Sequence, residues 1–201
     1  SPAAFKERIS RKSGSFEVVP ISGEGVQLAV VPGLGGRILS LRSSDNGPNL
    51  FSLGVPEDPG YPATGGYAES WQGGFQGPGW AESYKAEPLE ETDDCRALEM
   101  SADLKEGVRL SRTVMVPKRG GYFEVLSTVT NSRKEDQPGD LRATFALNLG
   151  STDQVTAIVP AAGEKGVFSL SLPEDEATRQ WSFTAAQVAQ GVKLVNHAAG
   201  L

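Results

Sequence analysis

Apolar and polar positions alternate along several short segments of this chain, and this two-residue period predicts β-strands. Large apolar side chains recur at every second position from Val26 to Val30. A longer segment has one face made of Val108, Leu110, Val114 and Val116 and the other made of Arg109, Ser111 and Thr113. Further segments predicted as strands are Phe16–Ile21, Ile38–Leu41, Ala97–Ala102, Tyr122–Thr130, Leu141–Leu149, Val155–Val159, Val167–Leu172 and Val192–Val195.

Turn signals separate the predicted strands. Asp45-Asn46-Gly47 and the segment Pro117–Gly121 each lie between two apolar segments, where tight turns are expected. Helix signals are confined to Ala3–Arg11 and Glu174–Gln190, and the apolar spacing of the second does not decide between helix and strand. Because strands follow one another without interleaved helices, the pattern predicts an all-β fold, an antiparallel sandwich or barrel.

The length of 201 residues suits one β-sandwich domain over residues 1–201, in which residues 1–15 form a flexible or helical N-terminal segment. A domain of this size buries roughly 70% of the surface of its unfolded chain, so it needs no disulfide or metal to fold. Cys95 is the only cysteine, which leaves the redox compartment open. Ser1-Pro2 is an unusual natural start and indicates a removed segment or an artificial boundary. A periplasmic or secreted location is slightly favoured over a cytoplasmic one.

Charge and motifs exclude several classes of function. The net charge of −6 and the pI near 4.9 argue against a nucleic-acid partner, which usually requires a basic face. No apolar run reaches the ~18 residues of a transmembrane helix, so no transmembrane segment is expected. Gly33-Leu34-Gly35-Gly36 lacks the third spaced glycine of a dinucleotide site, and the sequence contains no Cys/His metal set. We therefore expect neither a cofactor nor a metal, and the oligomeric state stays open.

The segment Val55–Trp80 is rich in glycine, proline and aromatic residues and is predicted to be a long irregular loop, a kind of segment that is often functional. The stretch Gly65–Tyr84, in and just after it, carries Tyr67, Trp71, Phe75, Trp80 and Tyr84, with Glu69, Gln72, Gln76 and Glu82 between them. Flat rings bind the apolar C–H faces of sugars, and carboxylates and amides bind the hydroxyls. The alternative is that the tryptophans fill the core and the carboxylates are solvated.

Three motifs resemble those of galactose mutarotase-like (aldose epimerase-like) proteins. They are the P-x-x-G-G-R-I corner Pro32–Ile38, the Gly-Gly-aromatic stretch Trp71–Phe75, and the segment Tyr122–Leu149. The resemblance extends over residues 16–150 and implies an antiparallel β-supersandwich of the galactose mutarotase-like type, with little helix. Domains of this family are normally longer, so the resemblance implies either a short member or one whose C-terminal strands are missing.

Mutarotation requires one group that protonates the ring oxygen of the sugar and another that deprotonates the anomeric hydroxyl. In catalytic relatives a His-Gly pair follows the aromatic motif, whereas this chain has Gly77-Pro78-Gly79-Trp80. Asn148 stands at or near the place of the family's catalytic histidine, and an amide does not exchange protons usefully. The only histidine is His197. We therefore expect no standard mutarotase chemistry, and the catalytic residues stay unassigned.

Three hypotheses follow. The first is a carbohydrate-binding domain whose partner is a mono- or oligosaccharide, with candidate binding residues Arg37, Glu69, Trp71, Gln72, Trp80, Tyr84 and Asn148. Within this set Arg37 has an alternative role, capping a strand end or pairing with an acidic neighbour. The second hypothesis is a divergent aldose epimerase, or an accessory domain of a carbohydrate-active enzyme, in which Glu69 or Glu82, or residues beyond Leu201, transfer protons. The third is a structural or protein-interaction sandwich whose aromatic residues belong to the core.

Overall fold

The computed structural model describes residues 16–45, 47–51, 65–72 and 77–148, together with the backbone of residues 155–160, 167–171 and 193–196. Its strands are β1 (Val19–Gly23), β2 (Val26–Val31), β3 (Arg37–Arg42), β4 (Gly66–Trp71), β5 (Lys85–Pro88), β6 (Cys95–Asp103), β7 (Val108–Pro117), β8 (Glu124–Asn131), β9 (Leu141–Ala146), β10 (Val155–Pro160), β11 (Val167–Ser171) and β12 (Lys193–Asn196). A single 3-10 turn, Lys105–Gly107, is the one helical element among the described residues. The predicted all-β fold is confirmed.

The strands form three antiparallel sheets. A five-stranded sheet has the order β1-β2-β3-β4-β9, and a four-stranded sheet has the order β5-β6-β7-β8. A three-stranded sheet has the order β11-β10-β12. Contacts divide the chain into two compact units, residues 1–148 and residues 149–201, so the first two sheets belong to one unit and the third sheet to the other.

The five-stranded and four-stranded sheets of the first unit pack face to face. The main apolar core draws on both, with Val26, Leu28, Val30 and Ile38 from the first sheet and Leu98, Met100, Leu110, Val114 and Val116 from the second. Strand β7 explains the arrangement, because its side chains alternate between fully buried and partly exposed along their whole length. The predicted alternation from residue 108 to 116 is thus confirmed.

The hairpin predicted around Pro117–Gly121 is present, because β7 pairs with β8 from Val108↔Asn131 to Met115↔Glu124. Strands β1 and β2 also pair, around Glu24-Gly25. The segments Ala3–Arg11 and Glu174–Gln190 lie outside the described residues. Within the described part of the chain, no helix is both long and apolar enough to cross a bilayer.

Strand β4 corrects the prediction of one irregular loop from Val55 to Trp80. The segment Gly66–Trp71 is a strand paired along its length with β9 and buried at five of its six positions. A strand that is buried on both faces carries no alternation of polar and apolar residues, so its period is invisible in the sequence. The strand also places Glu69 in the interior, where the sequence expected a loop.

Candidate functional site

Arg112 lies in the centre of the sandwich, on the inward face of β7 between Leu110 and Val114. Its exposed fraction is 0%. Its Nε donates to Glu69 Oε2 at 2.6 Å, and its Nη2 donates to the hydroxyl of Tyr84 at 2.8 Å. Two further bonds run from Nη1 to the carbonyl oxygens of Gly35 and Gly36, at 3.1 and 2.9 Å. The guanidinium therefore joins both sheets and the corner before β3.

Glu69 is the anion that balances this cation. Besides the bond from Arg112, its carboxylate accepts hydrogen bonds from the hydroxyls of Tyr67 and Ser127, the latter at 2.6 Å to Oε1. A carboxylate has about four acceptor positions, so these donors occupy most of its capacity. We refer to Arg112, Glu69, Tyr67, Tyr84 and Ser127 as the buried charge network.

Burial keeps both tyrosines of the network protonated. Burial, followed by the charge of Glu69 and the hydrogen bond to it, raises the pKa of Tyr67 strongly. Burial also raises the pKa of Tyr84 to about 12, against the lowering effect of Arg112. Tyr84 donates its proton to the carbonyl oxygen of Gly79 at 3.1 Å while accepting from Arg112. Both hydroxyls are therefore fixed donors at neutral pH.

The glycines of the Pro32–Ile38 corner let the backbone reach this network. Gly35 has a φ of 73°, and a Cβ at this position would lie 2.1 Å from the carbonyl oxygen of Trp80. Its amide donates to the carbonyl of Glu82 at 2.9 Å, which fastens the corner to the segment 77–84. Only glycine fits here, because both the left-handed backbone and the close approach exclude a side chain.

Arg37 lies on the opposite face of the five-stranded sheet from the network. It pairs with Val31, whose neighbour Val30 faces the core, so the strand alternation turns Arg37 away from the core. Its guanidinium stacks over the indole of Trp80 at 4.0 Å, and its Nη1 donates to the carbonyl of Gly65 at 3.3 Å. Burial, and then the charge of Arg112, lower the pKa of Arg37 to about 9. The group therefore stays charged at neutral pH.

Glu82, the other candidate proton-transfer residue, holds the turn that carries Trp80. Its Oε2 accepts from the amides of Gly79 and Ala81, at 2.7 and 3.1 Å. Neither Glu82 nor Glu69 is therefore a free carboxylate. The structure gives both of them hydrogen-bonding roles within the fold.

Trp71 and Gln72 lie at the end of β4. Trp71 is half-buried and packs against the main core, and its amide donates to the carbonyl of Pro78 at 2.7 Å. Gln72 has a φ of 49°, the one positive value at a non-glycine position among the described residues. Its side-chain amide donates to the carbonyl of Pro138. A non-glycine residue in the left-handed region is held there by its surroundings and is common at functional sites.

Asn148 is exposed and lies at the other end of the same strand pair. Trp71 pairs with Leu141, and Asn148 follows seven residues later along the extended chain. The rise of a strand places these positions roughly 20 Å apart. Trp71 and Asn148 therefore cannot contact one monosaccharide together.

The predicted residues thus fall into four places. Arg37 and Trp80 stack together, Glu69 and Tyr84 meet through Arg112, Trp71 and Gln72 share a strand end, and Asn148 stands apart. Sequence reasoning missed Arg112, although its position offered a signal. Arg112 is one of the five inward-facing residues of β7, and the other four, Val108, Leu110, Val114 and Val116, are apolar. A charge on that face has to be paired inside the fold.

Strand β9 presents an open face beside the network. Strand β8 is the edge strand of the four-stranded sheet, and its Ser127 contacts Glu69 of β4 in the facing sheet. Because β9 follows β4 at the edge of the five-stranded sheet, β9 extends beyond the four-stranded sheet. Its inward positions pair as Leu141↔Trp71, Ala143↔Glu69 and Phe145↔Tyr67. Phe145 is 51% exposed and Leu141 37% exposed, and the rings of Phe145 and Tyr67 meet edge to face at 4.8 Å. We call the inward side chains of β9, with Trp71, Tyr67 and Ser127, the β9 face.

A separate cavity of about 380 Å³ opens near β1, the corner and β5. Phe16, Pro32, Tyr84 and Leu98 contribute to its lining. Of the seven predicted binding residues, only Tyr84 reaches this cavity.

Comparison with known protein families, with curated proteins and with solved structures finds no match to this chain. The resemblance to galactose mutarotase-like proteins therefore depends on the three motifs alone. Of these, the corner Pro32–Ile38 has a clear structural role, since it carries both carbonyl groups that Arg112 binds.

Proposed function

We propose that this protein is a carbohydrate-binding domain of the galactose mutarotase-like type that binds sugar on the β9 face without catalysing mutarotation. One observation carries the proposal: the half-exposed ring of Phe145 lies on the side of the five-stranded sheet that carries Glu69, whose buried carboxylate accepts a hydrogen bond from the hydroxyl of Ser127 on the opposite sheet. An exposed ring beside oriented polar groups suits a sugar, whose C–H face is apolar and whose rim is hydroxylated.

The chemistry of Ser127 supports the proposal. Its hydroxyl has one proton, which it donates to Glu69, so its oxygen offers only acceptor positions to a ligand. Sugar hydroxyls are donors that match such an acceptor. Because Arg112 pairs with Glu69 at 2.6 Å, the charge beneath the face is compensated and a neutral ligand suits it.

The state of the carboxylates supports binding without catalysis. Glu69 and Glu82 both accept hydrogen bonds that hold the fold together. An acid–base catalyst must instead have its carboxyl group within reach of the substrate. We expect no acceleration of the optical rotation change of freshly dissolved galactose, measured by polarimetry against buffer.

Titration calorimetry with a panel of mono- and disaccharides tests binding. We expect dissociation constants between tens of micromolar and millimolar, because the contact area is small. Phe145→Ala should weaken binding about ten-fold or more, whereas Tyr122→Ala, which removes an exposed ring in the turn before β8, should leave it unchanged. Absence of binding by every sugar at millimolar concentration would contradict the proposal.

A second candidate, a structural or protein-interaction sandwich, is favoured by a different observation. Arg37, Trp80, Tyr84 and Glu69 are all at most 4% exposed, as expected for groups that serve the interior. In that case the exposed Phe145 would contact protein rather than sugar. Analytical sedimentation of the wild type and of Phe145→Ala distinguishes the two candidate functions. If the wild type self-associates, the variant does not, and neither protein binds sugar, the second candidate is supported.

A further inference from the structure

We propose that the cavity near β1 and β5 is a binding site for a small aromatic amine, whose ring enters the cavity and whose ammonium group stays at the mouth beside Glu17. Strand β1 is an edge of the five-stranded sheet and β5 is an edge of the four-stranded sheet, whereas β9 and β8 are the opposite edges. The cavity therefore lies on the other side of the sandwich from the β9 face. The inference does not depend on the proposed function.

Small residues at the sheet edge leave the space open. Ala86 packs against the main core and pairs with Met100, which is fully buried, so the short side chain of Ala86 occupies an inward position of β5. Gly33 has no side chain at all, and a Cβ there would lie 3.3 Å from Cδ1 of Phe16 and 3.9 Å from the hydroxyl oxygen of Ser83. The resulting volume of about 380 Å³ falls within the range of ligand pockets, roughly 300–1,000 Å³. It suits one ring with a short substituent.

The deep part of the cavity favours an apolar ring over a sugar. Leu98, 1% exposed, and the ring of Tyr84, 4% exposed, line it and belong to the main core. The hydroxyl of Tyr84 is already engaged, since it accepts from Arg112 at 2.8 Å and donates to the carbonyl of Gly79 at 3.1 Å. The rings of Tyr84 and Phe16 can contact a third ring, and contacts between aromatic rings are favourable beyond the area they bury.

The mouth of the cavity favours a positive charge. Glu17 and Ser83 are exposed lining residues, and Glu17 is the one member of the described lining that is charged at neutral pH. Burial raises the pKa of Tyr84 to about 12, so this side chain is neutral there. A protonated amine can pair with the carboxylate of Glu17, whereas an anionic ligand would meet no cation among these residues.

Three compounds with the same ring test the charge preference: 2-phenylethylamine, 2-phenylethanol and phenylacetate. In an NMR titration of the labelled full chain, we expect the amide signals of Glu17 and of residues 83–88 to shift, with dissociation constants near the millimolar range. The amine should bind about two- to five-fold more tightly than the alcohol, because an exposed ion pair is weak. Phenylacetate should bind less tightly than the alcohol. No shift of these signals by amine or alcohol, or equal affinity for the amine and phenylacetate, would overturn the inference.

A variant that fills the cavity tests the position of the ring. Ala86→Leu should weaken binding of the amine and of the alcohol about ten-fold or more, because the larger side chain takes the space of the ring. Ala97→Leu is the matched control, since Ala97 is partly exposed and pairs with Met115 on the outer face of the four-stranded sheet. Thermal unfolding checks that both variants are folded. Unchanged binding by a folded Ala86→Leu would overturn the inference.

A second variant tests the ion pair without disturbing the interior. Glu17→Gln should lower the affinity for 2-phenylethylamine to that for 2-phenylethanol and leave the affinity for the alcohol unchanged. Glu24→Gln is its control, because Glu24 is also exposed but lies in the turn between β1 and β2, outside the lining of the cavity. If Glu17→Gln keeps the preference for the amine, the assigned role of Glu17 is wrong and the inference fails.

Discussion

Arg112 is a fully buried cation whose cost of desolvation is offset by five contacts of good geometry. Its four hydrogen-bonded partners come from β4, from the corner and from the segment before β5, and its guanidinium also lies over the ring of Tyr84. A buried pair of this kind adds little net stability over apolar residues of the same shape. Removing one partner is different, because it leaves the other charge buried without compensation.

Arg112→Met should therefore lower the free energy of unfolding by about 3–5 kcal/mol, since Glu69 stays buried without its cation. Chemical denaturation followed by tryptophan fluorescence measures the change. Arg109→Met is the matched control, because Arg109 lies on the same strand but points outward, with an exposed ion pair to Asp103. The control should change stability by less than about 1 kcal/mol.

The double variant Glu69→Met with Arg112→Met should recover much of the loss, because both charges leave the interior together. A double-mutant cycle at the same denaturant conditions measures the coupling. If the two single losses simply add in the double variant, the two side chains are not the coupled pair that the 2.6 Å contact indicates.

The pKa of Tyr84, raised from 10 to about 12, predicts a loss of stability in alkali. Below pH 10 the hydroxyl is protonated in both states and its contribution is complete. Between pH 10 and about 12 the unfolded chain ionises before the folded one, so the free energy of unfolding falls as pH rises. The stability difference between the wild type and Tyr84→Phe should be constant up to pH 10 and shrink above it.

Urea denaturation of both proteins at several pH values measures that difference. Groups that both proteins share cancel in the comparison. They include Arg37, whose lowered pKa makes the free energy of unfolding rise with pH instead of falling. Tyr122→Phe is the control, since Tyr122 is 52% exposed. A difference for Tyr84→Phe that stays constant from neutral pH to pH 12 would contradict the assigned role of the buried hydroxyl.

At the scale of elements, the corner Pro32–Ile38 positions the network. It turns the chain from β2 into β3 and points two carbonyl groups at Arg112, while its backbone touches the segment that carries Trp80. The motif thus has a structural reason of its own. Its glycines at positions 35 and 36 are required by backbone geometry, whether or not the protein binds a ligand.

Gly35→Ala should lower the free energy of unfolding by about 2–4 kcal/mol, because the new Cβ would meet the carbonyl oxygen of Trp80 at 2.1 Å and because the φ of 73° disfavours any side chain. Thermal and chemical denaturation measure the loss. Gly121→Ala is the control, since no atom lies within 4 Å of its added Cβ, and it should stay within about 0.5 kcal/mol. Equal effects at both positions would refute the packing argument.

At the scale of the molecule, residues 16–148 contain both faces of the main core. The apolar cluster that joins the five-stranded and four-stranded sheets, and every member of the buried charge network, lie within this unit. The chain thus holds its main core and its candidate site in one compact unit. Such a unit meets the usual requirement for independent folding.

A fragment of residues 1–148 should therefore fold cooperatively without the rest of the chain. Circular dichroism should give a β-type spectrum with a single unfolding transition. The amide proton signals in an NMR spectrum should be well dispersed. The same fragment carrying Arg112→Met serves as a destabilised control. A fragment that stays unfolded while the full chain folds would indicate that residues 149–201 are needed for the fold of the first unit.

The predictability of this protein follows from where its strands are buried. Strand β7 could be predicted because one of its faces is buried and the other is not. Apolar and polar residues therefore alternate with a two-residue period along Val108–Val116. Strand β4 could not, because five of its six positions are buried and no contrast between faces exists. Arg112 was predictable in principle from its inward phase, whereas its pairing with Glu69 joins residues 43 positions apart.

The sequence alone determined the all-β class, the hairpins and the glycine corner, because alternation, turn residues and backbone freedom are local properties of neighbouring residues. Only the tertiary structure decided which charges meet and which rings stay exposed. Glu69 became the partner of Arg112, and Phe145 became an exposed ring, because two sheets of unequal width pack face to face and leave β9 beyond the edge of β8. Such contacts depend on how distant strands pair and stack, which no local pattern encodes.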